Sequence, residues 1–207
     1  MKIVFFGTPD FAVPSLDILI ENKFDVCAVV TAPDKERGRG RKVTFTPVKE
    51  AALKNNIPVL QPEKMNDEKF IEELKKFNAD LFIIVAFRIL PEEVYTIPKL
   101  GSFNLHGSLL PKYRGAAPIQ WAIINGDTKT GVTTFFLEKK VDTGNIILKK
   151  EIPILPEDDF GSLHDKMCVI GAETILETVK LIESDKAVPQ KQNDSEASPA
   201  PKITKET

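Results

Sequence analysis

Residues 2–33 read KIVFFGTPDFAVPSLDILIENKFDVCAVVTAP, and this stretch decides the fold class. It opens with the apolar run KIVFFG, closed by a glycine at position 7, which is typical of a buried strand. Leu16, Leu19 and Ile20 then follow at helical spacing, and the apolar run FDVCAVV comes next. Strand, turn, helix and strand in this order predict the start of a parallel α/β sheet with a right-handed crossover.

The rest of the chain continues the alternation of apolar runs and amphipathic segments. Helices are predicted at 46–56, 67–77, 118–126 and 160–184, and a short strand at 58–62. The longer apolar runs are ADLFIIVAF at 79–87, SFNLH at 102–106, GVTTFFLE at 131–138 and GNIILKKEIPI at 144–154. We therefore expect one α/β domain over residues 1–189.

The composition changes after Asp185, where the chain becomes polar and proline-bearing. Such a segment has too few large apolar residues to bury a core of its own. We predict that residues 190–207 form an extended linker. A chain that ends in a linker suggests that a further segment follows it.

The composition also excludes several classes of protein. A net charge of −2 over 207 residues excludes binding to a polyanion through bulk charge, so such binding needs a local basic patch. No apolar run reaches the ~20 residues that cross a bilayer, and the start is too short for a signal peptide. Cys27 and Cys168 lie among apolar neighbours and are predicted to be reduced. We therefore expect a cytoplasmic protein. We also expect no metal site, because no CxxC or HxxxH spacing occurs.

A basic segment interrupts the α/β pattern. DKERGRGRKV at 34–43 has two glycines and almost no apolar residue, which predicts a loop. A solvated surface loop is the simple interpretation. The alternative is a phosphate-rich partner such as nucleic acid, because the segment is basic while the whole chain is mildly acidic. Its basic residues are Lys35, Arg37, Arg39, Arg41 and Lys42.

Three polar residues stand where strands give way to glycine-containing loops. Asn104 and His106 end the predicted strand SFNLH, and alternation along a strand puts both on one face. Asp142 lies in a separate loop, VDTGN. An amide beside an imidazole can polarise a carbonyl and move a proton. The alternative is a core histidine with satisfied hydrogen bonds, which is also our interpretation of His164 in the last helix.

The sequence contains no activated protein nucleophile. GxSxG and P-loop patterns are absent, and GTPDFAVPSL after the first strand lacks the GxGxxG of dinucleotide-binding folds. Asparagine, histidine and aspartate without a nucleophile indicate that the attacking group belongs to the substrate. Direct transfer of a small acyl group to an amine fits such a site.

These residues resemble those of a known family. NLHGSLLPKYRG is similar to the signature of formyltransferases that use 10-formyltetrahydrofolate, and VDTG resembles the aspartate loop of that family. The start KIVFFGTPDFAVPSL, the segment APDKERGRGRKVTFTPVK and the motif RGAAPIQWAIINGD resemble the members that act on initiator methionyl-tRNA. The resemblance runs from Met1 to about residue 189.

The resemblance implies a fold and catalytic roles. The fold would be a Rossmann-like open, mostly parallel twisted sheet with helices on both faces. Asn104 would bind the formyl oxygen as it becomes an oxyanion, and His106 would assist proton transfer from the attacking amine. Asp142 would orient His106 or a water. The protein would act as a monomer without a metal, and its missing continuation would be an OB-like domain.

The resemblance also implies binding residues and leaves an alternative acceptor. The family has a tyrosine and a glycine in its equivalent of AFRILP at 86–91, which here is one residue shorter. A small amine such as an amino sugar nucleotide is the alternative acceptor, and a folate-binding regulatory domain is the non-enzymatic alternative. The implied tRNA contacts are Arg37, Arg39, Arg41 and Lys42. The implied folate contacts are Phe87, Arg88, Ile89, Leu90, Ser108, Leu109, Leu110 and Pro111.

Overall fold

A computed structural model describes residues 1–37 and 42–204. The chain forms two compact units, Met1–Ser102 and Phe103–Thr207. In chain order the elements of the first unit are β1 (Lys2–Gly7), α1 (Val13–Glu21), β2 (Asp25–Val30), β3 (Lys35–Arg37), β4 (Lys42–Thr44), α2 (Pro47–Lys54), β5 (Val59–Leu60), α3 (Glu68–Lys76), β6 (Leu81–Val85) and α4 (Glu92–Tyr95).

The first unit is built on four parallel strands in the order β5-β2-β1-β6. Their apolar runs are buried, including Ile3–Phe6 of β1 and all five residues of β6. Strands buried on both faces read as continuous apolar runs because helices cover a parallel sheet. Thr46 and Asp67 cap the N-termini of α2 and α3 by accepting backbone N–H groups. The predicted α/β class is confirmed.

The basic segment differs from its prediction as a loop. β3 and β4 pair as an antiparallel hairpin, with Lys35 opposite Thr44 and Arg37 opposite Lys42. Three-residue strands of mostly charged residues carry no apolar alternation, so their pattern cannot be distinguished from that of a loop. Arg39 and Arg41, two of the predicted RNA contacts, lie outside the described residues.

The base of this hairpin is held by a cluster of polar side chains. The Lys49 ammonium donates to Asp34 at 2.5 Å and to Gln61 at 2.8 Å, and lies 4.0 Å from the centre of the Phe45 ring. Gln61 in turn donates to Asp34 at 2.8 Å. The hydrogen bonds from Lys49 and Gln61 hold the pKa of the Asp34 carboxyl below its ordinary value.

Asp34→Asn is expected to remove a part of the stability that depends on pH. A lowered pKa in the folded state stabilises the fold above the unfolded value of about 3.9, and this contribution is lost as pH falls below it. The difference in unfolding free energy between the natural chain and Asp34→Asn should therefore shrink between neutral and acid pH. Urea unfolding across that range measures it, with Glu72→Gln at an exposed position of α3 as the control. A constant difference would contradict the prediction.

The second unit combines an antiparallel sheet with a long helix. β7 and β10 both pair antiparallel with β9, which lies between them. A capping box between Asp159 and Ser162 begins α6. In chain order the elements are β7 (Ser102–His106), β8 (Arg114–Gly115), α5 (Pro118–Ile124), β9 (Lys129–Phe136), β10 (Ile146–Pro153), α6 (Phe160–Glu183) and β11 (Pro199–Ala200).

The described part of the segment 190–207 packs on the second unit. β11 pairs in parallel with β8, and Gln190 exchanges two backbone hydrogen bonds of 2.8 Å with Ile146. Ala200 is fully buried with Tyr113 and Ala122. The described part of the segment therefore pairs with the second unit through backbone hydrogen bonds.

Candidate functional site

β7 presents the two polar residues predicted at its end. Asn104 and His106 pair with Phe135 and Thr133 of β9, and their two-residue spacing puts both on one face. His106 is 7% exposed, whereas Asn104 is half-buried. Within residues 1–37 and 42–204 the Asn104 side chain makes no hydrogen bond, so its carboxamide is available to a ligand.

His106 is held in one tautomer by the main chain. Its Nε2 lies 2.7 Å from the carbonyl oxygen of Tyr113. A carbonyl can only accept a hydrogen bond, so Nε2 carries a proton. In the neutral ring Nδ1 is therefore the unprotonated nitrogen, and it is the atom that can take up a proton.

Asp142 lies beside this nitrogen. Its Oδ2 is 4.0 Å from His106 Nδ1 and accepts the backbone N–H of Gly115 at 2.9 Å. The two side chains are 12% and 8% exposed, which strengthens their electrostatic interaction relative to a surface pair. Asp142 has a positive φ of 57°, which aspartate tolerates better than most residues. The predicted approach of Asp142 to His106 thus occurs within the second unit.

The segment Tyr113–Gly115 connects these groups, and sequence reasoning missed it. Its Tyr113 carbonyl fixes His106, and its Gly115 N–H fixes Asp142. Gly115 has a φ of 129°, and a Cβ there would lie 2.6 Å from the Ala200 carbonyl oxygen. The sequence signal was the glycine in KYRGAAP, which marks a backbone position that only glycine adopts readily.

The phenol of Tyr113 anchors the same segment. It donates to Asp127 at 2.8 Å and accepts from Asn125 at 2.9 Å. Burial, followed by the interaction with Asp127, raises the pKa of Tyr113 above its ordinary value. The phenol therefore stays neutral and remains a donor throughout the physiological pH range.

The loop predicted to contact folate in the second unit is held by β9. Thr133 Oγ1 accepts the Leu110 N–H at 3.0 Å and donates to the Ser108 carbonyl at 2.7 Å. Ser108 and Leu110 are fully buried, and Leu110 packs against Phe135. Pro111 is also buried, which leaves Leu109 as the partly exposed member of the predicted set.

The other predicted folate segment, Phe87–Leu90, lies in the first unit after β6. Ala86 has a φ of 48°, which turns the chain sharply at the strand end. Arg88 donates to the carbonyls of Glu63 (2.7 Å) and Pro62. Ile89 is 72% exposed, whereas Leu90 is buried. Ile89 is thus the most exposed apolar side chain of this segment.

The described residues offer neither a metal-binding cluster nor a membrane-spanning helix. Among residues 1–37 and 42–204, no group of three or more His, Cys, Asp or Glu side chains is arranged to hold a metal ion. Across the same described ranges, no helix has both the length and the apolar character needed to cross a membrane.

Comparison with protein families gives a match over most of the chain. Residues 1–179 match the family described as formyl transferase. A methionyl-tRNA formyltransferase of Caldanaerobacter subterraneus subsp. tengcongensis is 55% identical over 208 residues, which cover 100% of this chain and 67% of that protein. One of Bacteroides thetaiotaomicron is 53% identical over 211 residues, which cover 100% and 66%. The chain therefore spans about two thirds of the length of these relatives.

Comparison with solved structures agrees on the fold. An N-formyltransferase from Helicobacter canadensis, in complex with folinic acid and dTDP-3-aminofucose, is 26% identical to this chain. The match covers 98% of this chain and 71% of that one, with a TM-score of 0.75. The prediction of a mostly parallel α/β sheet with helices agrees with this likeness.

Proposed function

The chain belongs to the formyl transferase family, and on this premise we propose that it transfers a formyl group from 10-formyltetrahydrofolate to the α-amine of methionine on initiator methionyl-tRNA. The product would be formylmethionyl-tRNA, the substrate of translation initiation, which is a cytoplasmic process in bacteria. The identity of more than half to methionyl-tRNA formyltransferases over the whole chain supports this acceptor.

The observation that carries the proposal is the pairing of His106 with Asp142 beside the Asn104 carboxamide. The three residues match the family pattern, and the 4.0 Å between Nδ1 and Oδ2 supports their acting together. The half-buried Asn104 amide, without a protein partner in the described chain, fits a ligand that offers a carbonyl oxygen.

Each of the three residues has a distinct role in the transfer. The bound folate supplies an activated formyl group, whose carbon forms a bond to the amine nitrogen and loses its bond to the folate nitrogen. Asn104 donates a hydrogen bond to the formyl oxygen as negative charge develops on it. His106 takes the amine proton on Nδ1 and returns it to the departing nitrogen. Asp142 stabilises the cationic ring between these events.

We extend the proposal to the binding residues. Phe87, Ile89 and Leu109 offer exposed or partly exposed side chains to the folate, while Arg88, Leu90, Ser108, Leu110 and Pro111 shape the segments that present them. We propose that Arg37, Arg39, Arg41 and Lys42 meet RNA phosphates, because the segment concentrates positive charge in a chain that is mildly acidic overall. No such segment is needed for a small acceptor.

A comparison of acceptors tests the proposed function. With 10-formyltetrahydrofolate as donor, this chain is expected to formylate methionyl-tRNA and to leave a nucleotide-linked amino sugar unmodified. Product formation with each acceptor, followed by mass spectrometry, measures the difference. The tRNA reaction should also slow steeply with salt, because phosphate contacts release counterions.

The contrary results are equally definite. Formylation of the amino sugar with no transfer to tRNA would replace the proposed acceptor by the small amine suggested by the likeness to the Helicobacter canadensis protein. Folate binding without transfer to either acceptor would favour a regulatory binding domain.

A further inference from the structure

The tail over residues 190–200 contains a side chain that reaches the turn of Asp142. Gln192 is 6% exposed, which is unusual for a glutamine in a polar, proline-bearing segment. Its Nε2 donates to the carbonyl oxygens of Asp142 and Gly144, both at 2.9 Å. The tail is thus bonded directly to the turn that carries Asp142.

The other end of the Gln192 carboxamide is held by a cation. Its Oε1 accepts from Arg114 Nε at 3.1 Å and from a terminal nitrogen of the same guanidinium at 2.7 Å. Arg114 also donates to Asp194 at 2.7 Å. Both amide hydrogens and the amide oxygen are used, so a flipped amide would put donors against Arg114 and an acceptor against two carbonyls.

The turn that Gln192 holds contains a residue in the left-handed backbone region. Asp142 adopts a positive φ of 57°, a conformation that most residues other than glycine disfavour. The Gln192 bonds fall on the carbonyl of Asp142 itself and on that of Gly144, so they fix the peptide unit that follows Asp142 and the one that follows Gly144. With the backbone held, the carboxylate meets the Gly115 N–H at 2.9 Å and lies 4.0 Å from His106 Nδ1.

We propose that Gln192 is a positioning residue: its carboxamide, oriented by Arg114, holds the Asp142 turn so that the carboxylate faces His106. The expected effect on kcat rests on the proposed formyl transfer, whereas the positioning of the Asp142 turn rests on geometry alone. It also extends the catalytic unit to Gln192, beyond the predicted domain limit of residue 189.

Two substitutions and one control test the proposal in the full chain. Gln192→Glu keeps an acceptor for Arg114 and removes both donors to the turn, while Gln192→Met removes all four bonds and keeps an unbranched side chain. Asn193→Ala is the matched control, because Asn193 bonds to Ser195 and Glu196 of the tail and not to the turn. Melting temperatures report whether each variant folds.

The kinetic expectation separates positioning from simple structural support. For both Gln192 variants kcat should fall about 10- to 100-fold, the scale of a small misplacement in an active site, with KM for folate and tRNA nearly unchanged. Adding Gln192→Met to Asp142→Asn should cost little more than Asp142→Asn alone. An unchanged kcat per folded molecule, or an additive loss in the double variant, would overturn the role in the reaction.

Hydrogen exchange gives a readout that does not depend on activity. The Gly115 amide is bonded to the Asp142 carboxylate, whereas the neighbouring Arg114 amide is bonded to the Ser198 carbonyl at 2.8 Å and reports tail pairing. In the Gln192 variants exchange at Gly115 should speed up while exchange at Arg114 stays slow. Unchanged exchange at Gly115 overturns the proposal. If exchange at Gly115 is faster in the Gln192 variants but the natural chain does not formylate methionyl-tRNA, the positioning role stands and the proposed acceptor is wrong.

Discussion

His106→Ala is expected to lower kcat for formyl transfer about 100- to 10,000-fold, the range that general acid–base catalysis contributes. The alanine has no group to accept the amine proton at the position of Nδ1, and Asp142 loses the ring that it faces at 4.0 Å. Steady-state kinetics with 10-formyltetrahydrofolate and methionyl-tRNA measures the loss. Added imidazole should restore part of the rate, because a small base can enter the space left by the ring.

The other histidine provides the matched control. His164 lies on α6 with its Nδ1 3.2 Å from Asp165, and its replacement by alanine should leave the rate unchanged. His106→Ala also deprives the Tyr113 carbonyl of a donor, so the rates are compared per folded molecule after a melting measurement. A folded His106→Ala variant with the natural rate would return His106 to the role of a satisfied core histidine.

Asn104→Ala is expected to lower kcat about 100- to 1,000-fold, the typical cost of removing one oxyanion donor. The carboxamide makes no protein hydrogen bond in the described chain, so the substitution removes its interaction with the ligand and disturbs little else. Because the donor acts on charge that develops in the transition state, KM should change little. Kinetics at saturating and limiting folate separates the two parameters.

Two further variants sharpen this test. Asn104→Asp keeps the size of the side chain but puts a negative charge beside the developing oxyanion, so its rate should not exceed that of the alanine variant. Asn22→Ala, at the exposed end of α1 where the amide bonds to Ile18, is the control expected to keep the natural rate. A loss confined to KM for Asn104→Ala would assign the amide to substrate binding.

The parallel strands could be predicted because burial on both faces leaves a direct mark on the sequence. Ile3–Phe6 and Leu81–Val85 are unbroken apolar runs, and each is buried over its whole length. Helical spacing similarly predicted α3 and α6 to within a residue or two at each end. In these elements the pattern of side chains and the environment of the backbone agree.

The hairpin β3–β4 and the tail could not be predicted in the same way. The tail is ordered by partners that are distant in sequence. The strands of the hairpin are too short to show an alternation of apolar and polar residues. Asp34 is held by Lys49 and Gln61, and the tail strand β11 by Arg114 and Gly115. Local composition carries no trace of such pairings, so a polar segment with prolines looks like a linker whether or not it finds a partner.

In the candidate site too, some residues could be predicted from sequence patterns and one could not. Asn104 and His106 share a strand, so alternation alone placed them together, and Asp142 was marked by its glycine-bounded loop. Gln192 left no such mark, because a glutamine among lysines and asparagines is ordinary surface composition. Its importance follows from burial and from four hydrogen bonds that only the folded chain creates.

The stability of the β11–β8 pair sets the fraction of molecules whose candidate site is intact. A two-residue strand pair opens more readily than the core strands, since few backbone bonds and little apolar area oppose its release. Each opening breaks the bond from the Ala117 N–H to the Ala200 carbonyl and loosens the segment whose Gly115 N–H binds Asp142. As temperature rises, the rate of the proposed formyl transfer should therefore fall before the sheet and α6 unfold.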